Sequence, residues 1–130
     1  MTRITMIAAV TAFLASPALA ADPAVGIWKT QPDDNGNFGH VKIAECGAKI
    51  CGTLMKAFNS TGASRPSDHI GRQIVWDMQP QAGGKYVKGK IYAPDRDKTY
   101  GSKMQLDGNA LVVSGCVFAI CRKQNWSRVN

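Results

Sequence analysis

The chain is poor in the residues that hydrolytic and redox chemistry uses. Of its 130 residues only two are His, His40 and His69, and only one is Glu, Glu45. There is no G-x-S-x-G nucleophile elbow and no H-E-x-x-H zinc helix, which excludes those two catalytic designs. The C-x-x-C spacing of thiol redox sites is absent as well. No run of five like charges occurs, so the chain has neither a basic arm nor an acidic tail. Beyond the first twenty residues no long apolar run appears, and nothing there supplies the ~20 apolar residues that a membrane-spanning helix needs. The length excludes a TIM barrel, a full Rossmann enzyme or a two-domain hydrolase and points to one domain. A hydrophobic content of 45% is ordinary for a globular chain and argues against disorder.

What is present begins with a cationic start, Met1-Thr2-Arg3, followed by an apolar run from Ile4 to Ala15. Ser16-Pro17 breaks the run and Ala18-Leu19-Ala20 follows, which is the order of a secretory signal peptide with its A-x-A cleavage site. Cleavage after Ala20 is expected, so residues 1–20 are a leader and residues 21–130 a single domain. No Cys follows the cleavage site to carry a lipid anchor, and the expected product is a soluble periplasmic or secreted monomer. Removing residues 1–20, which carry one basic residue, leaves 110 residues and a net charge of +6.

All four Cys lie in residues 21–130, as Cys46-x4-Cys51 and Cys116-x4-Cys121. An even number in an oxidising compartment reads as two disulfides, with three connectivities open. Five residues of straight strand span ~16 Å, whereas bridged Cα atoms lie ~4.4–6.8 Å apart, so a local bridge requires the chain to reverse between its two Cys. Gly47-Ala48-Lys49 supplies a turn. Val117-Phe118-Ala119-Ile120 contains no turn residue, so a bridge between the two hairpins rivals the local pairing. A four-Cys zinc site has a permissible spacing, but thiols are seldom kept reduced outside the cytosol. No metal or other cofactor is expected.

The rest of the chain reads as short strands at 25–31, 38–46, 50–58, 72–78, 85–93, 98–106, 110–118 and 121–129. Turn signals separate most of them: Asp33-Asp34-Asn35-Gly36-Asn37, Gly83-Gly84, Ala93-Pro94-Asp95-Arg96-Asp97 and Asp107-Gly108-Asn109. Val41 and Ile43 alternate with His40 and Lys42. Eight strands with no helical period predict an all-β domain, an antiparallel up-and-down barrel or a sandwich, and barrel closure would remove exposed edges. Val41, Ile43, Leu54, Ile91, Tyr100, Met104, Leu111 and Val113 are the candidate interior and ligand-contacting set, with Trp76 near one rim. A barrel of eight strands holds side chains or one small ligand, so any cavity is small or entirely filled. The irregular segment from Asn59 to Gly71 is long enough to be a lid or binding loop.

Gly26-x-Trp28 at the head of the first strand resembles the G-x-W signature of lipocalins and their calycin relatives. That resemblance implies a barrel closed at one end by Trp28, met by a basic residue near the end of the chain, and Arg128 in Trp126-Ser127-Arg128 is placed for this. Residues 21–130 as a whole resemble the small exported bacterial proteins of the domain-of-unknown-function 2147 family (DUF2147). The matching pieces are Gly26-Ile27-Trp28-Lys29-Thr30, Cys51-Gly52-Thr53-Leu54, Gly89-Lys90-Ile91-Tyr92-Ala93-Pro94, Lys98-Thr99-Tyr100, and Gly115-Cys116 with Trp126-Ser127-Arg128. The resemblance implies a lipocalin-like barrel exported to the periplasm and carries over no catalytic residue. Ala93-Pro94 stands where the family often has Asp-Pro, so no role passes to an acid there.

Three functions remain. The leading one is a binding protein for a small apolar or amphipathic molecule, without chemistry of its own. The second is an envelope interaction protein that meets an anionic surface through Lys85, Lys88 and Lys90, clustered with Tyr86, and through the 59–71 loop. The third is an enzyme using His69 with Asp68 as a general-base pair. His40, opposite Val41 and Ile43, reads as a surface side chain. Asp95-x-Asp97 reads as a tight turn, since the other oxygen ligands of a calcium loop are missing. The basic residues are spread over most strands and export removes most nucleic-acid partners, so none is expected.

Overall fold

The computed structural model describes residues 20–130 together with Thr5, Ala8 and Ala9; the signal peptide read over residues 1–20 lies almost wholly outside the described residues. Eight strands form one closed antiparallel barrel: β1 (Gly26–Lys29), β2 (Phe38–Cys46), β3 (Lys49–Phe58), β4 (Gln73–Gln81), β5 (Lys85–Ala93), β6 (Lys98–Asp107), β7 (Ala110–Val117) and β8 (Ile120–Arg128). Each strand pairs with its neighbour in sequence, and β1 pairs with β8 to close the ring. The all-β reading holds, and the barrel is the one of the two architectures adopted. Among the described residues no helix is long and apolar enough to cross a membrane.

Alternation builds the interior. In β2, Gly39, Val41 and Ile43 are buried while Lys42 is exposed. Across from them Gly52 lies so close that a Cβ would stand 2.9 Å from Ile43 Cδ1 and 3.0 Å from Val41 Cγ1, so only glycine lets β3 approach here. Trp28, Val41, Ile43, Val75, Met78 and Leu111 are fully buried and fill the barrel from wall to wall.

In an up-and-down barrel the connections alternate between the two ends. One end therefore carries the tight turns β2–β3, β4–β5 and β6–β7 with both ends of the described chain. There Ala24 is fully buried and the Trp28 indole Nε1–H donates to its carbonyl at 2.8 Å. Arg128 stands over the Trp28 ring, 4.3 Å from its centroid, and donates to the carbonyls of Val25 at 3.1 Å and Pro23 at 2.7 Å. Tyr86 donates to the Asp22 carboxylate at 2.5 Å; burial first, then this bond, pushes its hydroxyl pKa far up. This end is plugged.

The opposite end carries the two long connections, β1–β2 and β3–β4, together with the β5–β6 turn and the two-residue β7–β8 turn. Two strand boundaries differ by more than one residue from those read in the sequence. The first strand ends at Lys29; Thr30 beyond it stays tied to β2, its N–H donating to the Gly39 carbonyl at 2.9 Å and its hydroxyl accepting from the Gly39 N–H at 3.0 Å. The fourth runs on through Pro80, which pairs with Tyr86. The β3–β4 ladder stops at Ile50↔Met78, so Pro80 has no ladder bond to supply on that side.

Candidate functional site

The plugged end leaves the loop end as the place where the interior meets solvent. Two adjoining cavities open there, of about 240 Å³ and 390 Å³. Gln31, Asp33, Ile91, Ala93, Asp95 and Gln124 line both, so they form one cup divided by the β1–β2 loop. The smaller half has an apolar floor of Leu54, Ala57, Ile74 and Trp126 beneath a polar rim that includes Arg65, Ser67 and His69. The larger half is floored by Tyr100, Val113 and Gly115 and rimmed by Lys98, Arg122 and Lys123. Apolar burial with a few convergent polar groups is the usual construction of a small-molecule site.

The loops that shape the cup are fastened. In the β1–β2 loop the Asp33 carboxylate accepts from the Asn35 N–H at 2.9 Å and the Asn37 N–H at 3.0 Å, and Gly36 adopts the positive φ of 79° that the turn needs. The Gln31 amide oxygen accepts from the Asn125 N–H at 2.9 Å, which ties this loop to β8 above the short β1. The 59–71 segment is not a free lid. Asn59 Oδ1 organises its start, accepting from the N–H groups of Thr61 and Ala63 at 3.0 Å each, and the segment is bonded back to β3 at Arg65 N–H to Ala57 (2.9 Å) and Gly71 N–H to Leu54 (2.8 Å). Between those anchors it leans Arg65, Ser67 and His69 over the smaller half of the cup.

Four of the nine candidate interior residues meet the cup: Leu54, Ile91, Tyr100 and Val113. Val41, Ile43, Met104 and Leu111 are buried in the packed interior and touch neither half, although Val41 pairs with Leu54 and Met104 with Val113. Trp76 lies away from the rim. It pairs with the exposed Lys90 and leans half-buried against the core from the wall. Alternation read from Val75 inward places it there, since Val75 is fully buried.

Reasoning from sequence missed Tyr92, Ile74, Trp126, Gln124 and Gln31. Tyr92 is buried, with the Arg72 guanidinium 3.4 Å from its ring centroid and the His69 ring at 5.6 Å. Its hydroxyl donates to Asp97 at 2.6 Å, and that bond raises its pKa. His69 therefore meets an aromatic ring, and no hydrogen bond joins it to Asp68. Asp97 sits at the turn with φ of 49°, a backbone that Asp tolerates. The turn reading of Asp95-x-Asp97 stands, and among the described residues no group of His, Cys, Asp and Glu could hold a metal ion. Strand alternation could have found Trp126, which lies opposite Leu111; no local signal marks Gln31, whose side chain acts only across the β1–β8 seam.

The basic cluster on β5 is rearranged too. Lys85, Lys88 and Lys90 are exposed, but Tyr86 points inward to Asp22 and does not belong to their face. The separation arises at Lys88, whose φ of 60° interrupts alternation and shifts the β5–β6 register between Tyr86 and Gly89. On the outer wall of β2 and β3, His40 stands 4.6 Å from the Phe58 ring. Burial first, then the charges of Lys56 and Lys29, hold its pKa below the ordinary value.

Both disulfides are local. Cys46–Cys51 spans 5.9 Å between Cα atoms across the Gly47 turn, and Cys116–Cys121 joins directly paired residues of β7 and β8. The second hairpin turns without a turn residue because Phe118 itself takes a φ of 55°.

Among solved structures the chain is similar to protein HP1028 from Helicobacter pylori, which is described as belonging to the lipocalin family. The TM-score is 0.67 at 17% identity, over 85% of each chain. That likeness carries the fold: a lipocalin-like barrel. A search of curated protein sequences finds no match. The sequence profile of DUF2147, described as an uncharacterised protein conserved in bacteria, matches residues 26–128. With the match running from the G-x-W of β1 to the Arg that covers it, the chain belongs to the DUF2147 family.

Proposed function

We propose that this chain is an exported bacterial carrier that holds a small apolar or amphipathic molecule in the loop-end cup and performs no chemistry on it. One observation carries the reading: the barrel is stopped at one end by Ala24, Trp28 and the Arg128 cover, yet at the other end it opens into a cup lined by Leu54, Ile74, Ile91, Val113 and Trp126 beneath polar side chains. Side chains that only filled a core would close both ends. The two halves together fall within the ~300–1,000 Å³ typical of small-molecule sites. The two disulfides fit an oxidising compartment, and with the leader sequence they favour the periplasm.

The test is native mass spectrometry of protein recovered from its own cell envelope, together with a fluorescence titration with 1-anilinonaphthalene-8-sulfonate. A co-purifying small molecule, or saturable one-to-one binding of the dye, is expected. A bare mass with no saturable dye binding overturns the reading.

A second reading rests on Lys85, Lys88 and Lys90, all exposed along one strand. A wall of like charge attracts an anionic polymer or surface. Reversing the three charges should then release the protein from the envelope fraction, and unchanged fractionation removes this reading.

A further inference from the structure

Among the described residues the β7–β8 turn is the most exposed apolar feature. Phe118 is 100% exposed, Ile120 78% and Val117 53%. With Ala119 they form a four-residue apolar tip at the open end of the barrel. Tips of hairpins are ordinarily polar, because an exposed aromatic side chain gains nothing from water. This tip is also built to stay out. Phe118 occupies a backbone region that bulky residues avoid, which swings its ring away from the barrel, and the Cys116–Cys121 bridge clamps the strands immediately below.

Charge singles out the same hairpin. From Ala110 to Arg128 it carries Arg122, Lys123 and Arg128 and no acidic residue. Arg122 and Lys123 follow the tip after Cys121, and Lys98 lines the same half of the cup as Val117 and Ile120. Acids do stand across that opening, Asp33, Asp34 and Asp95, but they belong to the β1–β2 loop and the β5–β6 turn. At ~3.3 Å per strand residue, Lys123 lies about 10 Å behind Ile120. Interfacial apolar segments bury themselves ~5–10 Å into the headgroup and acyl boundary, so cations at that spacing reach the phosphate layer when the tip is inserted.

From this geometry we infer that the Val117–Ile120 tip docks the open end of the barrel onto an anionic phospholipid bilayer. A protein partner fits less well. Three side chains, one of them aromatic at ~150–250 Å², fall short of the ~800 Å² per partner that a stable interface buries, whereas a bilayer needs no matching shape. Docking here sets Val117 and Ile120, the lip of the larger half of the cup, against the membrane, so a lipid-derived ligand would exchange there without crossing water. The surface is distinct from the lysine wall of β5. The inference does not depend on the cup being occupied, because Phe118 lines neither half of it.

The experiment is co-sedimentation with large unilamellar vesicles, using protein whose N-terminus has been defined by mass spectrometry so that no leader is present. Vesicles of phosphatidylethanolamine with one quarter phosphatidylglycerol are compared with pure phosphatidylcholine. Binding to the anionic vesicles that weakens in 0.5 M NaCl is expected. Phe118→Asp should lower the bound fraction at least fivefold, and Arg122→Glu with Lys123→Glu should abolish the preference for anionic vesicles. In Phe118→Trp the new indole should shift its emission to the blue when vesicles are added. Thermal melts of each variant show that the barrel is intact. Three results overturn the inference: no sedimentation with anionic vesicles, equal sedimentation of wild type and Phe118→Asp, or a concentration-dependent dimer that Phe118→Asp abolishes, which would assign the tip to a second copy of the chain.

Discussion

Phe118 shows what a single residue contributes when packing is removed from consideration. Fully exposed, it has no contact to lose, but its φ of 55° places it where an L side chain other than Asn, Asp or Gly is strained. Left-handed backbone costs roughly 1–2 kcal/mol for such a residue. Phe118→Asn is therefore expected to raise the thermal midpoint by several degrees, about 4–8 °C per kcal/mol in a domain near this size, in a differential scanning experiment. A residue kept at the expense of stability points to a use for its side chain. His40 gives a second prediction at this scale. Its pKa in the fold lies below the ordinary 6.5, so as pH falls below that value the unfolded chain binds a proton that the folded chain resists. Stability is thus lost on acidification through the window just under pH 6.5, and above it His40 contributes no slope. His40→Gln should flatten the dependence of the thermal midpoint on pH between about 5 and 6.5; an unchanged slope would show that other groups control it.

Elements add constraints that residues alone do not. The β7–β8 hairpin has no turn-forming sequence and is held at its base by Cys116–Cys121. Closing so short a loop contributes about 2 kcal/mol by restricting the unfolded chain. Cys116→Ser with Cys121→Ser should lower the unfolding free energy by about that amount in urea. The barrel should remain, because the β7–β8 ladder continues through Val113↔Gln124 and Leu111↔Trp126. In β5 the positive φ of Lys88 places Tyr86 and Gly89 inward three residues apart instead of two. A Cβ at Gly89 would run into the side chain of Met78, so β5 and the core meet there by the absence of a side chain. The β3–β4 segment shows the same control over a loop: two backbone bonds to β3 turn thirteen irregular residues into part of the cup rim.

At the scale of the molecule the asymmetry of the two ends matters most. One end is filled by Trp28, Ala24 and the Arg128 cover; the other has the two long connections and a divided cup. Ile91 is the larger of the two apolar side chains, with Ala93, that line both halves. Ile91→Trp should fill the cup and reduce dye affinity tenfold or more by fluorescence titration, with a thermal midpoint close to wild type, since the site is only half-buried and open on one side. A variant that binds the dye as wild type does would place the ligand elsewhere.

The sequence by itself determined the class of fold. Eight alternating segments with turn residues between them leave an all-β chain few options, because period-two burial and Asn-Gly or Asp-Gly turns are local properties. The resemblance of Gly26-x-Trp28 to the lipocalin signature implied the Arg128 contact, while the Cys pairing stayed open between local and cross-hairpin bridges. Tertiary structure decided the rest. Which inward apolar residues line the cup and which only pack the interior depends on how side chains from all the strands fill the barrel, and alternation reports only the face: Val113 meets the cup while Met104, its direct partner, does not. Trp76 faces away from the cup as the neighbour of the inward Val75, and Tyr86 points inward rather than with the lysines because the positive φ of Lys88 changes the phase of β5 midway. Gln31, Gln124 and Tyr92 became site residues only when β1 met β8 and the 59–71 segment folded back onto β3. Those contacts join positions as much as 94 residues apart, and no local pattern carries them.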